Sequence, residues 1–446
     1  MSCFVILQHP LSRRQHLSKL WNCAETTLIG KFFCKNNLFD WSKNGHVTLL
    51  NEYQSSMILK SQLWHTDNNT AKKQIEVKEM LPSIMKYTPA VCAVGKNYQI
   101  LIPVRMSAIL WVRVGETDYY DESNGILRSD TDLHRVTVPM SELDAAGAYT
   151  VCWREVAERK PYFPVVGDVQ SVSFPFRPLR SDPIRAYMLA DTHGAFEAPV
   201  GAAKAFAERY GGIDLLILNG DILEHSGDAE KFMLYYQIAE ALTGGEIPVA
   251  ISRGNHDLRG KYAEKLADYM PNENGNSFYT FRLGNLWGIL LDCGEDKNDD
   301  HPEYGGTICC HAFRARETAF LQQVIARADT EFAEAGVAHR MVISHVPFTQ
   351  IERAPFDIEQ DTYRQWVQLL NDRIQPEFLL SGHIHQAYIT RPGDVRDAYG
   401  MRFPTVVGSE VHSENHSFTG CGILWENGAV RIIFNGQETV MGEITL

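Results

Sequence analysis

Five short apolar runs between Tyr187 and Leu380 of this 446-residue chain each lead into residues able to hold a metal ion. Tyr187 to Ala190 leads into Asp191-Thr192-His193, and Leu215 to Leu218 into Gly220-Asp221. Val249 to Ile251 leads into Gly254-Asn255-His256-Asp257, Met341 to Ser344 into His345, and Phe378 to Leu380 into Gly382-His383-Ile384-His385. Helical stretches separate these runs: Ala202 to Tyr210, Ala229 to Leu242, Lys261 to Tyr269, Arg314 to Ala335 and Asp361 to Ile374. Strand-helix alternation predicts an α/β layered domain. Burial on both faces explains why the strands read as continuously apolar. In open α/β sheets the carboxyl ends of the strands form the ligand crevice. Blocks far apart in sequence are therefore expected to meet at one site.

The donors in those blocks are Asp191, His193, Asp221, Asn255, His345, His383 and His385. A mixture of carboxylate, imidazole and amide suits Mn, Fe or Zn better than a thiolate site would. The set exceeds what one tetrahedral ion needs. Two divalent ions about 3.5–4 Å apart, sharing one carboxylate, would use it fully, and Asp221 is the expected bridge. A lone histidine is ordinarily a satisfied core or surface residue; a series of strand ends carrying such residues is harder to explain that way. Within the Gly254 block, His256 can give a proton near neutral pH. Asp257 can hold that ring in one tautomer, as the third member of a catalytic triad does. Arg253 can grip an oxyanion, or form a surface salt bridge worth about 0–1 kcal/mol. Taken alone, Gly-Asn-His-Asp would equally be a polar turn. The charged stretch Asp292 to His301 follows another strand and either shapes the pocket or is a solvated loop. His412, Glu414 and His416 could also reach the rim.

Composition narrows the partners. The net charge of -13 disfavours non-specific nucleic-acid binding, which rests on neutralising phosphates. It does not exclude a small phosphate ester, because bound cations reverse a local field. Runs such as Trp287 to Leu291 are far too short to span a bilayer. Nine cysteines without a Cys-x-x-Cys spacing argue against a disulfide framework or a zinc ribbon. Met1 to Arg14 lacks the features of a signal peptide, and a cytoplasmic setting is expected.

The front of the chain differs in texture. Tyr98 to Val104, Ser107 to Val114, Arg135 to Val138, Ala148 to Glu155 and Val169 to Phe176 are β-rich and separated by turns such as Ser123-Asn124-Gly125. Such spacing predicts a β-sandwich over residues 85–180, with Arg177 to Pro183 as the linker to residues 181–446. Residues 1–84 show no sustained periodicity. They could be an accessory segment, a mobile extension, or translated sequence upstream of a start at Met85. The last reading predicts that a chain beginning at Met85 folds and works as well as the whole.

The five blocks, in order, resemble the calcineurin-like metallophosphoesterase family, whose pattern runs D-x-H, G-D, G-N-H-D/E, H and G-H-x-H. The resemblance covers roughly Arg185 to the C-terminus. It implies a layered metallophosphoesterase sandwich, β-sheets flanked by helices, preceded here by a small all-β sandwich domain of fibronectin-III-like type. It implies that Asp191, His193, Asp221 and His385 bind one divalent ion, and that Asp221, Asn255, His345 and His383 bind the other. It implies that His256 contacts the phosphate or leaving group, oriented by Asp257. The implied activity is hydrolysis of a small phosphate monoester by a metal-bridging hydroxide. A diesterase and a non-catalytic scaffold of the same fold are the alternatives. The preceding β-sandwich resembles the arrangement in purple acid phosphatases. Those enzymes place a tyrosine ligand where this chain has Glu224 and lack a counterpart of His193, which is expected to take the vacant ligand role. Arg253 also matches the Arg-Gly-Asn-His of protein Ser/Thr phosphatases, where that arginine helps hold phosphate.

Overall fold

The computed structural model describes residues 31–34, 37–41, 47–50, 81–179, 181–350, 353–412 and 417–446. The reading of residues 1–84 falls largely outside the described residues, as do Glu414 and His416. Within Met1–Met80 the described part is an antiparallel meander of Lys31–Cys34, Asn37–Trp41 and Val47–Leu50. Strands of four or five residues are too short for an alternating pattern to stand out in sequence.

Leu81–Leu446 forms one compact unit built on two large sheets. In the ten-stranded sheet, Ile184–Leu189, Leu215–Asn219 and Pro248–Ser252 run parallel side by side. The C-terminal strands Ser417–Glu426, Ala429–Asn435 and Val440–Thr445 extend it antiparallel from Ile184–Leu189. In the six-stranded sheet, Leu286–Leu290, His339–Ile343 and Phe378–Ser381 are the parallel centre.

Alternation along each strand sorts the layers. Ala186, Met188, Leu215, Ile217 and Ala250 share one core with Leu290, Met341, Ile343 and Leu380 of the other sheet. Tyr187, Leu189, Leu216 and Leu218 turn the opposite way and pack with Phe206 and Tyr236. Those side chains come from helices Glu197–Tyr210 and Met233–Thr243. On the far face of the second sheet, Ile289, Val342 and Leu379 pack with Leu321, Trp366 and Val367. These belong to helices Cys310–Ala326 and Gln360–Leu369. The result is two sheets face to face with helices outside. Helix Cys310–Ala326 stops well short of the expected Ala335. Beyond it, Glu331 accepts the indole N–H of buried Trp287 at 3.1 Å, and Phe332 packs edge-on against that ring. A buried indole donor needs a partner, and satisfying it draws the chain out of the helix.

The β-rich front has two layers, and one of them is continuous with the large sheet. Ala108–Val114, Thr117–Tyr120, Ala148–Glu158, Val165–Val166 and Gln170–Pro175 make a five-stranded antiparallel sheet. Ala90–Val94, Asn97–Pro103 and Leu133–Pro139 instead prolong the ten-stranded sheet. The join is a parallel pairing of Val91 with Pro248 and Cys92 with Val249. A period-2 pattern does not say which sheet a strand joins. The stretch read as a linker is anchored as well: Leu179 is buried, and the Arg177 amide donates to Glu246 at 2.7 Å.

This core also reaches upstream of Met85. Ile84 is 0% exposed, and its carbonyl accepts from the Arg105 amide at 2.8 Å. Burying one such side chain is worth roughly 1.5–3 kcal/mol. A chain beginning at Leu81 is therefore expected to show a higher Tm than one beginning at Met85. Equal melting curves would show that Ile84 contributes nothing to the core.

Candidate metal centre

Three of the five strands, Ile184–Leu189, Leu215–Asn219 and Phe378–Ser381, are followed by turns in left-handed backbone. Asp191, His193, Asp221, His383 and His385 all have φ between 45° and 71°, the left-handed region that non-glycine residues rarely occupy. Such residues cost of order 1–3 kcal/mol each and persist where their surroundings over-determine them. Gly220 and Gly382 let the turns touch. A Cβ on Gly220 would lie 2.6 Å from the Gly254 Cα and 2.7 Å from the His345 ring. One on Gly382 would lie 2.6 Å from Asp191 Oδ2. Any side chain there would force the strand ends apart.

The turns bring six of the seven expected donors together in two groups, Asp191, His193 and His385 in one and Asp221, His345 and His383 in the other; His193 also forms a donor group with Glu224 and His256. In the first, His193 Nε2 faces His385 Nε2 at 3.0 Å, and His385 Nε2 lies 3.3 Å from Asp191 Oδ1. In the second, His345 Nε2 lies 3.1 Å from Asp221 Oδ2. The Asn255 carboxamide adjoins this group, one of its terminal atoms 3.0 Å from His383 Nδ1 and 3.3 Å from Asp221 Oδ2. Asp191 Oδ1 is also 3.8 Å from His345 Nε2, so Asp191 has contacts in both groups.

This donor set fits a divalent cation. Ring nitrogens face one another, and the Asn255 carboxamide faces a carboxylate oxygen. A cation between such groups would be met by imidazole lone pairs, by the carboxylates and, with the amide oxygen turned inward, by Asn255. His345 Nδ1–H donates to the Asn219 carbonyl at 2.8 Å, which turns Nε2 toward the centre, the arrangement typical of metal-binding histidines. The carboxylates are deeply buried, Asp191 at 0% and Asp221 at 1% exposure. Burial disfavours charge on His345, yet the charges of Asp221 and Asp191 outweigh it and raise its pKa to about 10. Burial and the positive charge of His345 push His383 down to about 4. Burial also acts to raise Asp191, but His345 and His385 hold it below its usual value. Two buried carboxylates here demand positive charge at their centre.

Outer contacts fix the carboxylates. The His383 amide donates to both Asp191 oxygens, at 2.9 and 3.0 Å, and the Ser409 hydroxyl donates to Oδ2. The His256 amide donates to Asp221 Oδ1 at 2.8 Å.

The other three expected site residues are placed differently from one another. His256 lies beside the centre, its ring 4.7 Å from that of His193. Its Nδ1 is 3.0 Å from the Glu224 carbonyl, and its Nε2 is 3.3 Å from Arg259 Nη1. Asp257 does not orient that ring. Its Oδ2 instead accepts from the Gly254 amide at 2.7 Å, the Asp221 amide at 3.2 Å and the Tyr235 hydroxyl at 2.8 Å. Burial and the neighbouring charge of Asp221 raise Asp257 to about 7. It ties two metal-site turns together from beneath, because the one-turn 3-10 helix His256–Leu258 points adjacent side chains in different directions. Arg253 is held by Asp292, with its guanidinium over the Phe313 ring at 5.0 Å.

The guanidinium next to His256 is that of Arg259, which sequence reasoning did not single out. Glu295, 1% exposed, receives it at 2.8 and 3.0 Å. Asp296 Oδ2 approaches His383 Nε2 at 3.7 Å. Both acids belong to the charged stretch after Leu286–Leu290, so that stretch borders the centre. No sequence spacing links Arg259 to Glu295; only the position of Asp292 to His301 after a strand end hinted at it. His412 hydrogen-bonds Thr419 at 2.9 Å.

Residues 184–387 match the calcineurin-like phosphoesterase family. No curated protein matches the sequence. Among solved structures, the purple acid phosphatase PPD1 from seeds of yellow lupin, Lupinus luteus, has a TM-score of 0.52 at 10% identity, over 81% of this chain and 75% of that one. At that identity the similarity is one of fold. GAP50 of Plasmodium, the anchor in the inner membrane complex, has a TM-score of 0.38 at 14% identity, over 59% of this chain and 88% of that one. Vacuolar protein sorting 29 of Cryptosporidium parvum has a TM-score of 0.30 at 11% identity, over 59% of this chain and 98% of that one. Neither of the last two bears on function. With all seven donors and His256 inside the matched span, residues 184–387 are a calcineurin-like phosphoesterase domain.

Proposed function

We propose that the protein is a dinuclear-metal hydrolase of small phosphate monoesters. The observation that carries this reading is the convergence of seven donors from five strand ends, most of them in strained left-handed backbone. Asp191, His193 and His385 are assigned to one divalent ion and Asn255, His345 and His383 to the other, with Asp221 shared. Mn, Fe and Zn suit these donors.

A bound pair supplies Lewis-acid stabilisation of charge on the phosphoryl oxygens. The chain's own groups do the rest. Asp191 and Asp221, buried and hydrogen-bonded, hold the donor geometry fixed before substrate arrives, which is the preorganisation that electrostatic catalysis needs. His256 assists the departing oxygen with a proton. Arg259 and Glu295 border that ring, and Arg253 supports the turn through Asp292. Glu295 and Asp296 beside the centre, with the net charge of -13, favour a small ester over a polyanionic chain.

Hydrolysis of nitrophenyl phosphate and of its bis-ester, each with and without Mn, tests this. Mn-dependent turnover of the monoester well above the diester is expected. The opposite preference would make the protein a diesterase, and no metal-dependent turnover of either would leave a scaffold. Because Glu224 stands where the purple enzymes have tyrosine, the iron-loaded protein is expected to show no tyrosinate charge-transfer band. A strong visible band abolished by replacing one tyrosine would refute that. Among the described residues no helix is long and apolar enough to cross a membrane. The described cysteines Cys92, Cys152, Cys293, Cys309, Cys310 and Cys421 are free thiols, which supports a cytoplasmic setting.

A further inference from the structure

We infer that Glu224 is a positioning residue for His193, setting the imidazole so that its Nε2 lone pair faces the centre. The inference rests on the metal-centre reading above and adds a residue to its outer layer. Glu224 Oε2 lies 3.4 Å from His193 Nδ1. That nitrogen is buried and has no hydrogen-bond partner of its own. The opposite ring atom, Nε2, faces His385 Nε2 at 3.0 Å and shares a donor group with Asp191. A neutral imidazole carries one N–H and one lone pair. With Nε2 turned to the centre, the proton belongs on Nδ1, on the side where the carboxylate of Glu224 stands at 3.4 Å.

The alternative use of Glu224 is as a direct ligand, in the donor group it forms with His193 and His256, but it stands apart from the contacts of Asp191 and His385. Its carboxylate lies at the Nδ1 side of His193, while the contacts to Asp191 and His385 are on the Nε2 side. The acid therefore stands one ring behind the ligands. A carboxylate behind a ligating histidine fixes the tautomer and raises ligand basicity, and losing such a partner typically weakens metal binding ~10–100-fold. The same residue also receives His256 Nδ1 on its main-chain carbonyl at 3.0 Å. Side-chain substitution leaves that second contact in place, so the two roles are separable.

The test is calorimetric titration of the whole chain with Mn, after chelation, for the unaltered protein, Glu224→Gln and Glu224→Ala. Glu224 is 58% exposed, so neither change is expected to disturb folding, and melting curves check this. The unaltered protein should bind two ions. Glu224→Ala should weaken one of them by ~10–100-fold and leave the other nearly unchanged. Glu224→Gln keeps an acceptor oxygen and should lose clearly less. Two ions bound by Glu224→Ala with unaltered affinities would overturn the inference and leave the metal-centre reading intact. Equal weakening in Gln and Ala variants would overturn it too, because the effect would then be one of net charge. No Mn bound by the unaltered protein would overturn both.

Discussion

Asp221→Asn is expected to empty the centre of most of its metal and to lower turnover by roughly 10³-fold, while the protein stays folded. The size follows from the several kcal/mol that metal ions contribute to stabilising transition-state charge, with each 1.36 kcal/mol equal to tenfold in rate. Asparagine is the informative replacement. Its carbonyl can still accept the His256 amide, now bound by Asp221 Oδ1 at 2.8 Å, so the turn keeps its shape. What is lost is the anion facing His345 at 3.1 Å. Metal content and initial rates are the measurements, and full metal content at near-normal rate would sink the assignment. Asp191→Asn belongs beside it. Asp191 Oδ1 lies 3.3 Å from His385 and 3.8 Å from His345, so it too touches both groups. If Asp221 is shared, its loss should release both ions and the loss of Asp191 only one. The reverse outcome would move the bridge to Asp191.

The two carboxylates were legible in the sequence because each follows an apolar strand directly. Position past a strand end is a one-dimensional property, and it was enough to assemble Asp191, His193, Asp221, Asn255, His345, His383 and His385. Two kinds of feature were not legible. One is the direction of a side chain within a turn. Asp257 follows His256 immediately, yet it bonds Gly254, Asp221 and Tyr235 instead of the ring. The other is contact between segments without a shared pattern, such as Arg259 on Glu295. The same limit applies to the fold. The strands Ala90–Val94 and Asn97–Pro103 could be read as strands, but their place in the large sheet depends on the pairing of Val91 with Pro248. Packing of Ile84 into the core had no pattern to announce it either.

The orientation of His256 sharpens the test of its chemistry. Its ring is held between the Glu224 carbonyl and Arg259, and Asp257 is engaged elsewhere. The residue can therefore be removed without disturbing the carboxylate that ties the metal turns together. His256→Ala should keep both ions, because no ligand-group contact of Asp191, Asp221 or His345 runs through its side chain. General-acid help contributes about 10²–10⁴-fold, and only to the extent that the leaving oxygen needs a proton. Alkyl phosphates, whose alkoxides are poor leaving groups, should slow by about that factor. Nitrophenyl phosphate, whose leaving group departs readily as an anion, should suffer much less. The ratio of the two losses is the diagnostic quantity, since a general defect in folding or metal binding would reduce both alike. Equal losses with metal retained would reassign His256 to stabilising the phosphoryl oxygens, alongside Arg259. Loss of an ion in the variant would make His256 a ligand, which its position in one donor group with His193 and Glu224 allows.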